Sequence, residues 1–503
     1  MSKKKNKEIA IITLLSGLLM AVTFNYFINW LGWICYVGLI YILIKYSIKP
    51  LQAFLIGIIA SSIQGMVLFT WMIQLAKNYT ASNTNIGFLL TIITAIIFAL
   101  KTGIFLAIAS YFINKKNSTQ HIIISILALA SAYIILDKIY ESIFQELPWL
   151  FHFIGYTQST NLYTAQLSEI AGIAGISFIV IICNLLIAYA FSYKKKTYFA
   201  VAIGIIAFAH LSGFIRIQSI QTNQNKSIKV ALICDNSAPN FRWNEQRVDE
   251  YAWTLLDLNQ KAIKNNPDII VWNEGVIPWS YNKEDDLLKT IIDQTKHSKS
   301  QQLISLFTDE NDGSYNSVYL FNNNGNIEGL YHKNKLLGGL EKPLWGNKYL
   351  ELPFMNSEPS SKMLSGKITT PITSSKLGDI GIMLCSESLS ESSAAELTKQ
   401  GAGFLVLMAN DNWFTETQLI FHHFYLTRMR AIETRKDIVI NTNLGYCGVI
   451  NAKGEIIEKN INSWPTIINT KVETNNNRST NENRKIIFYI MAMAFIVIGI
   501  KLK

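Results

Sequence analysis

The chain has 503 residues, of which 50% are hydrophobic and only 16% charged. Soluble globular proteins carry roughly 25% charged residues, so this composition excludes a soluble enzyme over the whole length. The net charge of +10 does not point to nucleic acid, because the lysines gather in short runs between apolar segments, where membrane topology accounts for them.

The shortage of charge is uneven. Residues 9 to 217 are nearly uncharged, whereas 218 to 484 read as an ordinary globular block. A membrane-crossing helix needs about 20 mostly apolar residues. Candidates run over 9–28, 31–46, 51–73, 87–113, 121–139, 168–192 and 198–215, with one more at 486–501. The chain is therefore expected to hold a polytopic α-helical membrane domain of about eight transmembrane helices. The basic runs Lys3–Lys7, Lys45/Lys49, Lys115/Lys116, Lys194–Lys196 and Lys501/Lys503 all fall on one side of such a bundle. The positive side is cytoplasmic. Both termini are then inside and residues 218–484 outside; Arg484 and Lys485 sit against this trend. Lys101 falls midway along the fourth helix, where a charge is either functional or turned towards a wet groove of the bundle.

The globular block alternates β-rich runs with helical patterns. Runs occur at 228–234, 268–273, 302–307, 316–322, 379–385, 403–409 and 437–443, and helical spacing at 243–264, 284–297, 391–400 and 416–435. This order predicts a layered α/β domain. The Asn-rich stretch 470–483 reads as a polar tether back to the last helix. The expected division is thus a transmembrane domain over 1–217, a catalytic domain over 218–470, and a tether with a final helix over 471–503.

Three strand ends each deliver a reactive group. Glu274 follows the run DIIVWN, Lys333 follows IEGLYH, and Cys385 follows DIGIML. A carboxylate that takes a proton, a cation that stabilises an oxyanion and a thiol that attacks a carbonyl form a coherent set. Each alone reads more readily as a buried thiol or a solvated loop charge, and the case rests on their order and context together. Of the five cysteines, none forms a CxxC pair, so neither a disulfide framework nor a zinc site is indicated. His422 and His423 lack metal-spaced partners and read as structural. No metal or organic cofactor is expected.

The order Glu, Lys, Cys resembles the nitrilase superfamily of carbon–nitrogen hydrolases. Almost the whole chain is similar to the apolipoprotein N-acyltransferase family: ELPWLFHFIGYTQ (146–158), VWNEGVIP (271–278), YHKNKL (331–336), LCSES (384–388), ANDNWF (409–414) and HHFYLTRMRAIETR (422–435) carry the resemblance. It implies an extracytoplasmic nitrilase-like αββα sandwich placed between helices seven and eight. It implies Cys385 as nucleophile, Glu274 as general base and Lys333 as oxyanion stabiliser, with Glu341 and Glu387 in support. Trp243 matches a tryptophan near the acyl-chain site, or is a core aromatic. Trp345 and Phe354 belong to a loop over 340–365 that would cover an acyl chain, or is simply anchored by them. The chain departs from the family pattern at Ser386, where an aromatic is usual, at Asn273, where proline is usual, and at Leu337–Leu340, which replaces Val-Pro-Phe-Gly.

The implied reaction moves an acyl chain from a membrane phospholipid, through a Cys385 thioester, to the α-amine of the diacylglyceryl-cysteine of an apolipoprotein. The protein would be a monomer in the bacterial inner membrane with its catalytic domain on the periplasmic face. Two other readings remain at this level: a membrane-anchored amidase that passes the acyl group to water, and a lapsed nitrilase fold that binds a partner.

Overall fold

The computed structural model describes residues 3–79, 84–113, 118–220, 226–237, 245–346, 362–461, 464–477 and 482–501. Among them, eight helices are long and apolar enough to cross a membrane: Lys3–Asn25, Asn29–Tyr46, Pro50–Leu68, Thr84–Ile113, Thr119–Ile143, Ser168–Tyr193, Lys196–Ser219 and Asn483–Lys501. The second is broken into Asn29–Gly32 and Val37–Tyr46. The third stops at Leu68, and the rest of the expected 51–73 span starts a separate short helix, Trp71–Tyr79.

Lys101 does not face a wet groove. Its Nζ lies 2.7 Å from Asp137 Oδ1 in the fifth spanning helix, and both side chains are buried. The rings of Phe98, Tyr133, Tyr140 and Phe153 surround the ammonium at 5.1–5.6 Å. Ion pairing and cation–π contact together allow a charge at this depth.

Among the described residues the globular block contains thirteen strands: β1 (Ser227–Cys234), β2 (Ile269–Trp272), β3 (Gln301–Glu310), β4 (Gly313–Phe321), β5 (Ile327–His332), β6 (Met363–Leu364), β7 (Ile372–Ser374), β8 (Gly378–Leu384), β9 (Phe404–Asn410), β10 (Ile438–Asn443), β11 (Cys447–Ile450), β12 (Ile456–Asn460) and β13 (Thr466–Glu473). One sheet runs β13-β1-β2-β3-β4-β5, with β6 against β4, and the other runs β12-β11-β10-β9-β8-β7. Strand periodicity of two decides what each face buries. Ile228, Val230 and Leu232 meet Ile380, Ile382 and Leu384 between the sheets. The alternate residues Ala231 and Ile233 pack under the helices Glu245–Ile263 and Asp286–Thr295. Met383, Leu405 and Leu407 pack under Glu391–Lys399 and Leu419–Thr434. Both faces of each sheet are covered, which explains the continuous apolar runs. The result is the expected αββα sandwich. The tether starts later than expected: β13 extends to Glu473, because β1 would otherwise be an unpaired edge and instead pairs over all eight of its residues, up to Ser227↔Glu473.

The helix Leu419–Thr434 joins the two blocks. Its inner face belongs to the sandwich, while Leu419, Leu426, Met429 and Ile432 belong to the core of the helical bundle. The loop 144–167, with its short turns Pro148–Leu150 and Ile154–Gln158, wedges between the blocks. Arg428 donates to the Ser159 carbonyl at 2.9 Å, and Arg435 and Arg216 both bind Glu169. In the helix Ser168–Tyr193 the ladder breaks at Ala171 and Gly172, the latter at φ +62°. The N–H of Ile173 is freed there and donates to Glu391 Oε1 at 3.1 Å. Glu391 also pairs with Lys485 of the last spanning helix at 2.5 Å. Burial favours protonation of Glu391, but Lys485 and Arg430 outweigh it and hold its pKa at about 2.

Two outcomes are expected from this packing. Lys101→Met and Asp137→Leu should each lower the thermal midpoint of the detergent-solubilised protein, because each strands a buried charge at a cost of about 3–5 kcal/mol. The double substitution should recover most of that loss. Additive losses in the double variant would mean that the pair is not coupled.

Candidate active site

Glu274 leaves the end of β2, and a left-handed Gly275 (φ +69°) turns the chain there. Its Oε1 accepts from Asn316 Nδ2 at 2.7 Å and from Lys333 Nζ at 3.4 Å, and its Oε2 accepts from the Asn410 N–H at 3.1 Å. Lys333 follows β5 directly, and its backbone N–H donates to the Asn316 carbonyl at 2.8 Å. Its ammonium is 1% exposed and lies 2.6 Å from Glu341 Oε1. Cys385 directly follows β8 and sits at φ +51°, a left-handed conformation that a non-glycine residue adopts only under constraint.

These side chains line one cavity of about 190 Å³, together with Glu341, Asn410, Trp413, Phe414, Leu337 and Leu340. The structure thus brings Glu274, Lys333, Cys385 and Glu341 together. The bend that returns Glu341 to Lys333 explains the departure at 337–340. A Cβ at Gly338 would lie 2.8 Å from Leu344 Cδ2 and force that side chain to shift, and Gly339 sits at φ +77°. Leu337 N–H then donates to Glu341 Oε2 at 2.7 Å, and Gly338 N–H to the Glu146 carbonyl at 2.9 Å.

Glu387 is not in the cavity lining. It is buried beneath Cys385 and accepts from the backbone N–H groups of Leu384 (2.8 Å), Asn334 (2.8 Å) and Lys335 (3.0 Å) and from the Tyr331 hydroxyl (2.9 Å). One carboxylate therefore clamps the end of β8 to the loop that carries Lys333. Sequence reasoning missed a second support. His423 Nε2 reaches Ser388 Oγ at 2.9 Å and the Cys385 carbonyl at 3.3 Å, while Nδ1 reaches Asp411 Oδ1 at 2.9 Å. Asp411, in ANDNWF, and His423, in HHFYLTR, were visible as a motif, but nothing in their spacing showed that they meet. His422 turns the other way, with Nε2 2.9 Å from the Asn25 carbonyl and its ring stacked on Phe27 at 4.4 Å. Burial lowers its pKa to about 4, so it is neutral. Trp243 and Phe354 lie outside the described residues. Trp345 lies in the turn Leu344–Gly346, but its side chain is outside the described set. Trp279 donates to Asp285 Oδ2 at 2.9 Å and Tyr281 stacks on Tyr319 at 4.8 Å, so both belong to the sandwich.

The electrostatics follow from burial. Burial and the negative Glu274 raise the Cys385 thiol well above 9.0, and Lys333 offsets only part of this. Burial raises the Glu274 carboxyl above 4.5, although Lys333 pulls it down. Burial opposes charge on Lys333, but Glu274, Glu341 and Cys385 outweigh it, and the ammonium stays protonated well above 10.5. At neutral pH the resting site is therefore a thiol, a carboxylate suited to accept a proton, and a fixed cation.

Glu387→Ala removes an acceptor shared by four donors, leaving buried N–H groups unpaired at about 1–3 kcal/mol each. It should change the rate at which a thiol reagent alkylates Cys385 and lower the thermal midpoint. Glu387→Gln should do less damage to stability than Glu387→Ala. An alanine variant with unchanged midpoint and labelling would show that the clamp is dispensable.

The carbon–nitrogen hydrolase family profile matches residues 229–481, half of the chain. The apolipoprotein N-acyltransferase N-terminal domain profile matches residues 16–186. Curated relatives named apolipoprotein N-acyltransferase include that of Wigglesworthia glossinidia brevipalpis, 26% identical over 398 residues (77% of each chain). That of Haemophilus influenzae is 24% identical over 468 residues, covering 89% of this chain and 85% of the relative. That of Geobacter metallireducens is 23% identical over 464 residues, covering 89% and 86%. With half its length matched by that profile, and with the two-sheet sandwich described above, the chain belongs to the carbon–nitrogen hydrolase family.

Proposed function

We propose that this membrane protein is an apolipoprotein N-acyltransferase that takes its acyl group from a phospholipid. The observation that carries this reading is the convergence of Cys385, Glu274 and Lys333 in one cavity held against a bundle of membrane-crossing helices. A soluble amide needs no such bundle. Two lipid-anchored substrates do, because drawing an acyl chain into water costs about 0.8 kcal/mol per CH₂.

In the first step Glu274 takes the thiol proton of Cys385 as the sulfur attacks the ester carbonyl. The tetrahedral oxyanion faces Lys333, held in place by Glu341. When the intermediate collapses, the C–O bond breaks and Glu274 returns the proton to the departing lysophospholipid alkoxide. In the second step the α-amine of a diacylglyceryl-cysteine attacks the thioester, and a second oxyanion forms at the same lysine. Glu274 removes the amine proton, the C–S bond breaks, and the proton returns to sulfur. One cation and one carboxylate serve both halves, since charge develops at the same oxygen.

The functional division is the membrane block over 1–217, the catalytic block over 218–470 and the return segment over 471–503. The sandwich meets the bundle at Asn25 and at the loop 144–167, the end opposite the cluster formed by Lys5, Lys45 and Glu8. This supports a catalytic domain on the periplasmic face of a bacterial inner membrane, with cytoplasmic termini. We take the working unit to be a monomer.

Cys385→Ala should abolish acyl transfer while membrane insertion and thermal midpoint are retained. Mass spectrometry after incubation with phospholipid should find one acyl adduct, on the Cys385 peptide; an adduct elsewhere, or none, refutes the mechanism. The rate of adduct formation should fall as pH drops through the raised pKa of Glu274, so its acid limb should lie above 4.5. With the thiol itself held well above 9.0 and Lys333 well above 10.5, no loss should appear between neutrality and pH 9.

A further inference from the structure

A second and larger cavity, of about 400 Å³, lies beside the catalytic one at the junction of bundle and sandwich. The two cavities divide neighbouring residues between them. Cys385 lines the first and Ser386 the second; Lys333 lines the first and Lys335 the second. Consecutive Cα atoms lie about 3.8 Å apart, so the second cavity begins one residue away from the nucleophile.

Its walls come from two places. The sandwich supplies Lys335, Ser386, Ser390 and Ser392, and the end of the spanning helix Thr119–Ile143 supplies Lys138 and Glu141. Pro148, Phe151 and Leu336 form an apolar side. The cavity therefore sits where the apolar bundle gives way to the polar block, the depth of lipid headgroups.

Charge matching singles out one residue. Lys138 pairs with Glu141 at 2.8 Å, and Lys342 pairs with Glu146 at 2.7 Å. Lys335 forms no ion pair with a carboxylate among the described residues, although Glu387 and Glu141 lie near enough to favour its charge. Its Nζ donates instead to the hydroxyls of Ser390 and Ser392, each at 2.6 Å. Two of its three N–H groups are thus occupied by neutral oxygens, which also share one hydrogen bond between them at 3.0 Å and so keep one hydroxyl proton to donate. Burial pulls its pKa below 10.5, outweighing the nearby carboxylates of Glu387 and Glu141, which act the other way. An ammonium flanked by serine hydroxyls offers an anionic oxygen a charge-assisted bond and a further hydroxyl donor.

We propose that Lys335, Ser390 and Ser392 bind the phosphodiester of the acyl donor's headgroup while its ester carbonyl lies at Cys385. The assignment rests on the reading that the donor is a phospholipid. In such a lipid a glycerol unit separates the ester from the phosphate, so the two groups would occupy the two adjoining cavities. The apolar side of the cavity suits that glycerol and the root of the second chain. The acceptor does not fit the same site. It carries no phosphate, and its α-amine, when protonated, would be repelled by Lys335.

The test compares two donors with the same acyl esters, dioleoylphosphatidylglycerol in vesicles and dioleoylglycerol in the same detergent micelles as the full-length protein. The readout is the rate at which the Cys385 acyl adduct forms. Lys335→Gln should slow acylation by phosphatidylglycerol roughly tenfold or more, the loss of one charge-assisted bond. The loss with dioleoylglycerol should be smaller, and the dioleoylglycerol arm exposes any folding defect. Ser390→Ala/Ser392→Ala should shift the same ratio in the same direction. Equal losses with both donors, or no loss with either, overturn the site while leaving the thioester reading intact. No adduct from either lipid in the unsubstituted protein removes the phospholipid reading and this site with it. Inorganic phosphate separates the two sources of the anion. At a headgroup site it slows acylation by phosphatidylglycerol only; slowing both donors alike would mean that free phosphate is the ligand and overturn the assignment.

Discussion

The ammonium of Lys333 is 1% exposed, and a charge so far from water must be matched inside the protein or be lost. Glu274 and Glu341 supply that match from two separate parts of the chain. Each carboxylate is then fixed by backbone donors, Glu274 by the Asn410 N–H and Glu341 by the Leu337 N–H. The ends of β2, β5 and β9 and the bent loop at 337–342 are thus held around one nitrogen. The same constraint sets the protonation pattern of the pocket: the lysine stays charged, and the thiol beside two carboxylates stays protonated until a base removes its proton.

A second set of buried charges sets where this pocket sits. Glu391 caps the N–H that the kinked helix leaves free at Ile173 and pairs with Lys485 of the last helix. Through Arg430, also held by Glu433 at 2.8 Å, it ties the first block, the sandwich and the final helix together. The kink needs Gly172: its φ is positive, and a Cβ would meet Lys485 Cε at 2.7 Å and Glu391 Oε2 at 2.9 Å. The catalytic cavity is in consequence walled on one side by sandwich residues and on the other by Trp413 and Phe414. Those rings pack on the bundle, where Phe414 contacts Trp71 at 5.6 Å and Trp149 at 5.3 Å. A site built in this way faces the bundle rather than open solvent, which suits substrates that are anchored in lipid.

Around the nucleophile, buried polar groups act as fasteners. Glu387 gathers four donors from two loops, and the Asp411–His423 pair reaches the carbonyl of Cys385 itself. A left-handed cysteine is costly, of order 1–3 kcal/mol, and persists only where its surroundings over-determine it. The two fasteners account for that conformation without touching the reacting sulfur.

Much of this was legible in the sequence. Apolar runs of about 20 residues announced the spanning helices, because a bilayer sets that length regardless of neighbours. Runs with both faces apolar announced the sandwich strands, and the reactive residues stood at the strand ends. Local sequence could not reveal pairings between distant residues. Asp137 was needed to read Lys101 as a structural ion pair, β13 extended into the polar tether because β1 required a partner, and His423 gained its role only once Asp411 and Cys385 folded against it. Chain connectivity fixes the period and polarity of each element, but which buried charge meets which is decided by packing. The residues that line the second cavity, scattered over 138–392, came together only when the bundle and the sandwich closed around Lys335.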